Sequence, residues 1–290
     1  MENTRYALLT GATGGLGGAI ARALSGTGRW MVFAAGTDEA ALAELARLPH
    51  VTAVRMDITR QESVDEACAG ICLRTDTLDA VVHFAGKSAF GSMVEPGSVD
   101  QVRRLLDVNV IGMVRVNQVF FPMVLRGRGR IILCSSEAGW MTPQPFAGAY
   151  FLSKHALEAY SDSLRREVMF MGIPVVKIQP GFHRTRMADS VLQGYDEAVR
   201  DSAWFNRILK RMKPLMMHEL TRKNRADRLA RVVLRAMESR HPRIRYRIGT
   251  GFLLRLLELL PESGVDRLYR ILAGRDGRAA GRPHDQSRFS

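Results

Sequence analysis

The sequence predicts a single α/β domain in which a doubly wound parallel sheet carries helices on both faces and is followed by a C-terminal helical extension. Three observations predict this fold. The 290 residues, of which 46% are hydrophobic, are enough to form one full core. Short apolar segments alternate with helical segments along most of the chain, which is typical of parallel sheets. The first strand runs directly into a glycine-rich turn and then into a helix.

The chain is strongly basic. It carries 42 Lys and Arg against 29 Asp and Glu, which gives a formal net charge of +13. Such an excess favours nucleic acid, anionic lipid or phosphorylated ligands. Because no nucleic-acid-binding motif accompanies the charge, we interpret it as a surface property and expect no nucleic-acid partner.

Three cysteines give no disulfide framework. Cys68 and Cys72 lie four residues apart on a predicted helix without a second pair of ligands, so we expect small core-facing side chains and no metal site. No signal peptide is evident, and no uninterrupted apolar run approaches the ~18 residues of a spanning helix. These features predict a reducing, cytoplasmic compartment.

The first strand, Arg5 to Thr10, is expected to be buried, and a helix is predicted from about Gly18 to Gly26. Between them, Gly11 permits a tight turn, Gly15 lets the backbone approach a pyrophosphate and Gly17 allows close helix packing. The helix N-terminus offers free N–H groups to the phosphates. This context predicts a dinucleotide site.

The second, third and fourth strands are predicted at Trp30–Ala35, Val51–Met56 and Leu78–Phe84. The second strand ends without a carboxylate that could bind the ribose, since Asp38 comes somewhat late, and without an arginine that could bind a 2′-phosphate. The choice between NAD and NADP therefore stays open. The third closes on Asp57, which either bonds the adenine amine or caps a helix. The fourth ends in Ala85-Gly86, which lets the backbone lie close to a nucleotide, and His83 is expected in the packing of this strand.

A set of polar residues is expected at the carboxyl ends of the strands. A long helix, about Val99 to Arg126, carries Asn109 in its middle, and the fifth strand, Arg130 to Cys134, delivers Ser135 and Ser136. In doubly wound sheets, ligands bind at this edge.

The next helix, about Gly148 to Met171, carries Tyr150 and Lys154 on one face, since residues four apart lie one above the other. An unperturbed tyrosine has a pKa of about 10, and a neighbouring cation favours the phenolate. With a serine hydroxyl to hold a carbonyl oxygen, this set suits proton transfer coupled to hydride transfer at a carbonyl or an alcohol.

The remaining elements include a sixth strand, Ile173 to Gln179, that closes on Pro180-Gly181, then a helix, Arg225 to Ser239, and a last strand, Ile244 to Ile248. The Met- and aromatic-bearing segment 187–220 forms either a lid over a lipophilic substrate or ordinary packing on the sheet. The extension 251–275, with helices at Phe252–Leu260 and Val265–Leu272, lies in a membrane interface, covers the cleft or meets a partner subunit. A disordered basic tail is expected at 276–290.

Over Arg5 to Ile248 the chain resembles the short-chain dehydrogenase/reductase family, a Rossmann-type fold. The resemblance is carried by Thr10-Gly11-xxx-Gly15-x-Gly17, Asp57, Ala85-Gly86, Asn109, Ser136, Tyr150-xxx-Lys154 and Pro180-Gly181-xxx-Thr185. The run from Leu157 to Glu167 is similar to the retinol and 17β-hydroxysteroid dehydrogenase branch.

The resemblance implies that Tyr150 is the general acid/base, that Lys154 lowers its pKa and binds the nicotinamide ribose, and that Ser136 positions the substrate oxygen. Asn109 would anchor a water relay, and Thr185 would meet the carboxamide. The implied contacts to the cofactor are Gly11, Thr13, Gly15, Leu16, Gly17, Thr37, Asp57, Ile58, Ala85, Gly86, Asn109, Tyr150, Lys154, Pro180, Gly181 and Thr185.

Besides the missing carboxylate at the end of the second strand, two departures from the family pattern stand out. His83-Phe84 replaces the family's frequent Asn-Asn, which removes a side-chain contact. Ser136 lies somewhat farther before Tyr150 than is usual, so Ser135 is kept as a lesser candidate.

We therefore expect an NAD(P)-dependent oxidoreductase that interconverts a hydrophobic alcohol and its ketone or aldehyde, with a steroid-, retinoid- or other lipid-like substrate. The alternatives are a 3-oxoacyl-type reductase acting on a carrier-linked or polar substrate and a non-catalytic nucleotide-binding sensor. We expect a homo-oligomer, a dimer or tetramer. Peripheral membrane contact through the C-terminal helices is kept open, so the protein is cytoplasmic or membrane-associated.

Overall fold

The computed structural model describes residues 4–183, 187–220 and 224–274, which fold around one sheet. Its seven parallel strands are β1 (Arg5–Thr10), β2 (Trp30–Gly36), β3 (Val51–Arg55), β4 (Ala80–His83), β5 (Arg130–Cys134), β6 (Val175–Pro180) and β7 (Arg245–Ile248). Their spatial order is β3-β2-β1-β4-β5-β6-β7. The order reverses direction between β1 and β4, so the predicted doubly wound, Rossmann-type sheet is confirmed.

Eleven α-helices are present in the described residues. They are α1 (Gly15–Ser25), α2 (Glu39–Ala46), α3 (Gln61–Cys72), α4 (Ser98–Leu106), α5 (Gly112–Arg126), α6 (Gly148–Val168), α7 (Met187–Asp201), α8 (Asn206–Leu220), α9 (Ala226–Glu238), α10 (Phe252–Leu257) and α11 (Glu262–Ala273). A π-helical turn, Asp107–Ile111, joins α4 to α5, and 3₁₀ turns occupy Glu137–Gly139 and Met169–Met171.

Two apolar layers cover the sheet. On one face, Ile20 and Leu24 of α1 pack with Val233 of α9. On the other face, Phe120 of α5 and Leu157 of α6 are fully buried against the strands. Because both faces are covered, the strands are apolar almost without alternation, as expected for a parallel sheet.

All seven predicted strands exist, although several ends differ. The fourth strand is shorter than predicted, because the Leu78 N–H bonds to the carbonyl of Met123 on α5 rather than to a neighbouring strand. The predicted long helix begins at Ser98 and changes to a π-helical turn around Asn109. Sequence reasoning gave no helix for Glu39–Ala46, whose start is capped by the Asp38 side chain at 3.0 Å from the Ala41 nitrogen.

The continuous helical segment Ser98–Arg126 is long and apolar enough, by length and composition, to cross a membrane. The sequence, which holds no uninterrupted apolar run of this length, did not predict a segment of this kind. In its most apolar window, 44% of the residues are buried inside the protein. The face that carries Met113, Val116 and Phe120 packs on the sheet, which accounts for the apolar character of this helix.

The ammonium group of Lys177 is buried in the core, which the sequence did not predict. Lys177 of β6 is 2% exposed, and its Nζ contacts Glu158 Oε2 at 2.7 Å and Asp162 Oδ1 at 2.8 Å, both on α6. Two carboxylates compensate one buried ammonium, and the three groups tie α6 to the sheet.

The cysteine pair differs from the expectation. Cys68 is half-buried, Cys72 is exposed, and their Sγ atoms are 3.9 Å apart. The prediction that both side chains face the core is therefore wrong for Cys72, which lies in the last turn of α3. Burial raises the pKa of the Cys68 thiol to about 11, with a further contribution from Cys72.

Candidate active site

The carboxyl ends of β1, β4, β5 and β6 open into one cavity of about 450 Å³. The glycine-rich turn and α1 form one end of its wall, the β4 and β5 ends and α6 form the middle, and helices α7, α8, α10 and α11 close the other end. This is the edge at which doubly wound sheets bind ligands.

The glycine-rich turn has the geometry that its sequence predicts. Gly11 has φ +68°, and a Cβ there would come within 2.3 Å of the Ala85 nitrogen. A Cβ on Gly17 would lie 2.1 Å from the Gly11 carbonyl oxygen. The turn and the β4 end therefore touch backbone to backbone, and the first amides of α1 face the cavity beside Gly15 and Leu16. This cradle fits a diphosphate, since it offers N–H donors and has no side chains in the way.

The residues expected near the adenosine sit at the ends of β2 and β3, outside the cavity lining. The Thr13 side chain of the glycine-rich turn packs on Gly36, since a Cβ added to Gly36 would lie only 2.6 Å from it. Thr37 is the next residue after Gly36, at the end of β2. Asp57 accepts bonds from the Thr59 N–H at 2.9 Å and the Thr59 hydroxyl at 2.7 Å.

Burial works to raise the pKa of Asp57, but these bonds and nearby cations lower it overall. Asp57 thus organises the turn before α3 rather than capping the helix itself, whose N-cap is Arg60. The Ile58 side chain packs in the core against Gly112, so any contact it makes to a cofactor comes from its backbone.

Tyr150, Lys154 and Ser136 converge at the middle of the cavity. The Ser136 hydroxyl lies close enough to the Tyr150 phenol to act on its pKa. The Lys154 Nζ lies 5.8 Å from the phenol ring centroid and donates to the Cys134 carbonyl at 3.1 Å. Ser135 also lines the cavity, and its Oγ has no hydrogen-bond partner in the described residues.

The protonation of Tyr150 differs from the expectation of a lowered pKa. Burial raises the pKa of Tyr150 to about 12, against the lowering effect of the nearby Ser136 hydroxyl, while Cys134 and Glu137 raise it further. Lys154 does not offset this, because its ammonium is directed at a carbonyl oxygen and its own pKa is lowered by burial.

Asn109 is fully buried in the π-helical turn. Its Oδ1 accepts from the Lys87 N–H at 2.8 Å, and its Nδ2 donates to the Lys87 carbonyl at 2.8 Å and to Ser153 Oγ at 2.9 Å. A Cβ on Gly86 would lie 3.3 Å from Asn109 Oδ1 and 3.8 Å from Lys154 Nζ. Asn109 therefore fixes the loop after β4 beside Lys154.

His83 lies in the packing of β4, as predicted. It is fully buried, and its Nε2 is 2.8 Å from Asn117 Oδ1. Asn117 in turn donates to the Tyr160 hydroxyl at 2.9 Å. Burial lowers the pKa of His83 to about 4, because the bond to Asn117 compensates only part of the lost hydration.

The end of β6 forms another part of the cavity wall. Pro180 and Gly181 line the cavity, and the Gly181 N–H donates to the Ile248 carbonyl at 2.8 Å. His183 is buried nearby with its Nδ1 2.8 Å from the Gly181 carbonyl oxygen. The predicted contact Thr185 and the tail 276–290 lie outside the described residues.

The far end of the cavity is apolar and is covered by the C-terminal half of the chain. Its lining there includes Phe90, Phe151, Tyr195, Met212, Leu257 and Tyr269. Tyr195 of α7 makes an edge-to-face contact with Phe90 at 5.4 Å, within an apolar cluster separate from the two that cover the sheet. Side chains of the segment 187–220 therefore line the cavity and pack against Phe90 and Phe146.

Some lining residues were missed by sequence reasoning, among them Gly14, Lys87, Glu137, Tyr195 and Tyr269. Gly14 lies inside the glycine motif at an unspecified position, and Lys87 directly follows the Ala85-Gly86 motif, so both are one step from predicted contacts. The other three carry no motif, and only the folded chain brings them to the cavity.

Comparison with known proteins decides the family. The profile of the short chain dehydrogenase family matches residues 5–196. The chain belongs to the short-chain dehydrogenases. Retinol dehydrogenase 16 from Rattus norvegicus is 30% identical over 281 residues, which cover 91% of this chain and 87% of that protein. The 17-beta-hydroxysteroid dehydrogenase type 6 of Homo sapiens is 29% identical over 279 residues, covering 90% and 86%.

Among solved structures, a short-chain dehydrogenase from Streptomyces avermitilis superposes with a TM-score of 0.69 at 24% identity and covers 92% of this chain and all of that one. This likeness shows the fold. The relatives place this short-chain dehydrogenase in the retinol and hydroxysteroid dehydrogenase-like branch, so it is an oxidoreductase that acts on CH–OH groups. Family membership and the glycine cradle together support a nicotinamide dinucleotide as cofactor.

Proposed function

We propose that the protein interconverts a lipophilic alcohol and its ketone or aldehyde, with NAD or NADP as the redox partner. One observation carries the proposal: Ser136 and Tyr150 line the same cavity, between the glycine cradle and an apolar end. A polar pair between the glycine cradle and the apolar end of the cavity suits a substrate with one oxygen on a hydrophobic body.

The roles of the residues follow from this placement. Ser136 and Tyr150 hold the substrate oxygen, and Tyr150 gives or takes its proton. Asn109 fixes the loop after β4, and Lys154 beside that loop binds the nicotinamide ribose. Gly11, Gly15 and the first amides of α1 hold the diphosphate. When bound, the nicotinamide ring supplies or accepts the hydride.

The lipophilic substrate class rests on the lining of the outer cavity. Side chains of α7, α8, α10 and α11 meet there, and most of them are apolar or aromatic. We propose that the segment 187–220 acts as a lid, since it packs against the region around Phe90 and Phe146 and against the C-terminal helix α11. Closure of such a lid excludes water from the reacting atoms.

The decisive experiment measures turnover of a panel of retinoid, steroid and fatty alcohols with NAD and with NADP at the nicotinamide absorbance. Tyr150→Phe should lower turnover by about 10³-fold or more, because the proton donor and acceptor is lost. Cofactor affinity should stay near that of the wild type, and Tyr160→Phe serves as the control outside the cavity.

Three outcomes contradict the proposal. Turnover of the Tyr150→Phe variant close to that of the wild type would remove the assigned role of the phenol. Turnover only of carrier-linked 3-oxoacyl thioesters would favour the polar-substrate reductase. Nucleotide binding without any turnover across the panel would favour a sensor.

We also propose a homo-oligomer, either a dimer or a tetramer. Exposed apolar side chains lie on neighbouring helical segments: Ile111 is 48% exposed in the π-helical turn, Val114 is 37% exposed at the start of α5, and Leu152 is 42% exposed on α6. Helix α6 packs against the π-helical turn that holds Ile111, so the two exposed surfaces are close together. Light scattering on the wild type and on Val114→Glu tests this, and a monomeric wild type would refute it.

A peripheral contact with a membrane is the last part of the proposal, for an otherwise cytoplasmic protein. Exposed apolar side chains concentrate on the C-terminal helices and the link between them: Leu256 (45%), Leu259 (79%), Leu260 (45%) and Ile271 (68%). Leu272 is 41% exposed and also lines the cavity, so the mouth lies at this surface. A lipophilic substrate would then enter from the bilayer.

A further inference from the structure

A groove lined by arginines runs along the open edge of the sheet, between α9 and β7. Because β7 is the last strand, no further strand of the described chain covers it. The groove is lined by Arg228 and Arg235 of α9, Arg245 and Arg247 of β7, Arg243, Arg255 of α10, and His241. No Asp or Glu is among its described lining residues. We call this surface the arginine groove.

The charges of the arginine groove are not compensated locally. None of its six guanidinium groups forms an ion pair with a carboxylate of the described residues. Arg247 lies over the Trp140 ring at 4.0 Å and donates to Gln179 Oε1 at 3.2 Å, which fixes its position without neutralising it. Arg245 influences the Asp162 carboxylate, but that group is already bonded to Lys177. Positive charge concentrated in this way raises the local concentration of anions.

Helix α10 joins the arginine groove to the active-site cavity. Arg255 lines the groove, while Leu257, two residues later, lines the cavity. The side chain between them, Leu256, is 45% exposed, and Leu259 beyond them is 79% exposed. One cationic side chain of the groove, Arg255, therefore lies next to exposed leucines, and the intervening Glu258 carboxylate accepts hydrogen bonds from Thr142. A bilayer surface offers both matching partners, phosphates for the arginines and acyl chains for the leucines.

We propose that the arginine groove binds the headgroup phosphates of anionic lipids and so makes the protein's membrane contact selective for anionic bilayers. This inference rests on the membrane contact in the proposed function and names its lipid chemistry. A soluble phosphate ligand would engage the arginines but leave the neighbouring leucines exposed. A second copy of this face would place six arginines against six others, which like-charge repulsion opposes.

The test is co-sedimentation of the full chain with vesicles of phosphatidylcholine alone or of phosphatidylcholine mixed with phosphatidylserine. The test variant carries Arg235→Gln, Arg243→Gln and Arg245→Gln, whose side chains are exposed. The matched control removes three exposed arginines elsewhere, with Arg47→Gln, Arg74→Gln and Arg104→Gln.

We expect the wild type to prefer the mixed vesicles, and added salt to weaken its binding. The groove variant should lose on the order of 100-fold in partitioning to mixed vesicles, since each arginine near an anionic surface contributes about a factor of five. The control variant should keep most of the binding. Equal losses in the two variants would show a general charge effect and overturn the proposal, as would equal wild-type binding to both kinds of vesicle.

Two additional measurements distinguish lipid binding from nucleic-acid binding and from catalysis. If vesicle binding of the groove variant is intact but its affinity for a labelled oligonucleotide is lost, the groove serves nucleic acid and the proposal is wrong. Alcohol oxidation in detergent without vesicles should be the same in the groove variant and the wild type. An absence of turnover in both would count against the proposed function only, because the vesicle result is read independently.

Discussion

His83 provides a direct test of how burial acts in this fold, through the dependence of stability on pH. The imidazole is fully buried on β4, and its Nδ1 has no hydrogen-bond partner in the described part of the chain. Burial lowers its pKa from 6.5 to about 4. Between these two values the unfolded chain binds a proton that the folded protein does not bind. The stability that His83 contributes is therefore complete above about pH 6.5 and is lost as the pH falls towards 4.

The size of this effect follows from the difference between the two pKa values. At 1.36 kcal/mol per pH unit, lowering the pKa from 6.5 to about 4 corresponds to a loss of about 3 kcal/mol in the free energy of unfolding. The perturbation is His83→Asn, which keeps a polar side chain near Asn117 but cannot be protonated. Urea unfolding between about pH 7 and pH 4.5 measures the free energy of each protein.

The wild type should lose more stability than His83→Asn over this range, by about 2 to 3 kcal/mol. The control His241→Asn removes an exposed histidine and should follow the wild type. Parallel curves for the wild type and His83→Asn would refute the reasoning. That result would mean that the folded protein accommodates the imidazolium, for example through a water or a rearranged Asn117.

The remaining predictions concern the core and the glycine cradle. Lys177→Met should lower the free energy of unfolding by about 3 kcal/mol, because two carboxylates lose their buried partner, and Arg55→Met, which breaks an exposed pair, should change it by less than about 1 kcal/mol. Denaturant titration distinguishes the two. Gly17→Ala should weaken dinucleotide binding by about tenfold or more in calorimetric titration, because its Cβ would lie 2.1 Å from a carbonyl oxygen. Gly70→Ala, which has open space around its Cβ, should bind normally and gain about 0.5 kcal/mol of stability.

The parts of the fold and site that sequence reasoning predicted are those fixed by local chemistry. Gly11 adopts a positive φ, and Gly17 has no room for a side chain. Both requirements can be inferred from the short sequence of the glycine-rich turn itself. The strands were found because a sheet covered on both faces needs continuous apolar runs. The spacing of Tyr150 and Lys154 likewise placed both on one helix face.

The parts that it missed depend on residues far apart in the chain. The π-helical turn positions Asn109 for partners 22 and 44 residues away. From the sequence alone, the segment 187–220 could be either a lid or a layer packed on the sheet, because an apolar helix face does not show which surface it packs against. Phe90 and Phe146 provide that partner in the folded chain. The buried Lys177 was missed for the same reason, since both of its carboxylates come from another element.

The raised pKa of Tyr150 bears on the direction of the proposed reaction. With a pKa of about 12, the phenol is protonated at neutral pH and can donate its proton to a carbonyl oxygen without any rearrangement. To accept a proton from an alcohol it needs a positive charge closer to its oxygen. Lys154 can supply that charge if its Nζ leaves the Cys134 carbonyl, 3.1 Å away, and turns towards the ring. In the described arrangement the phenol is therefore in its proton-donating form, and removal of the ammonium in Lys154→Met should lower the rate of alcohol oxidation at neutral pH, because proton uptake by Tyr150 becomes harder.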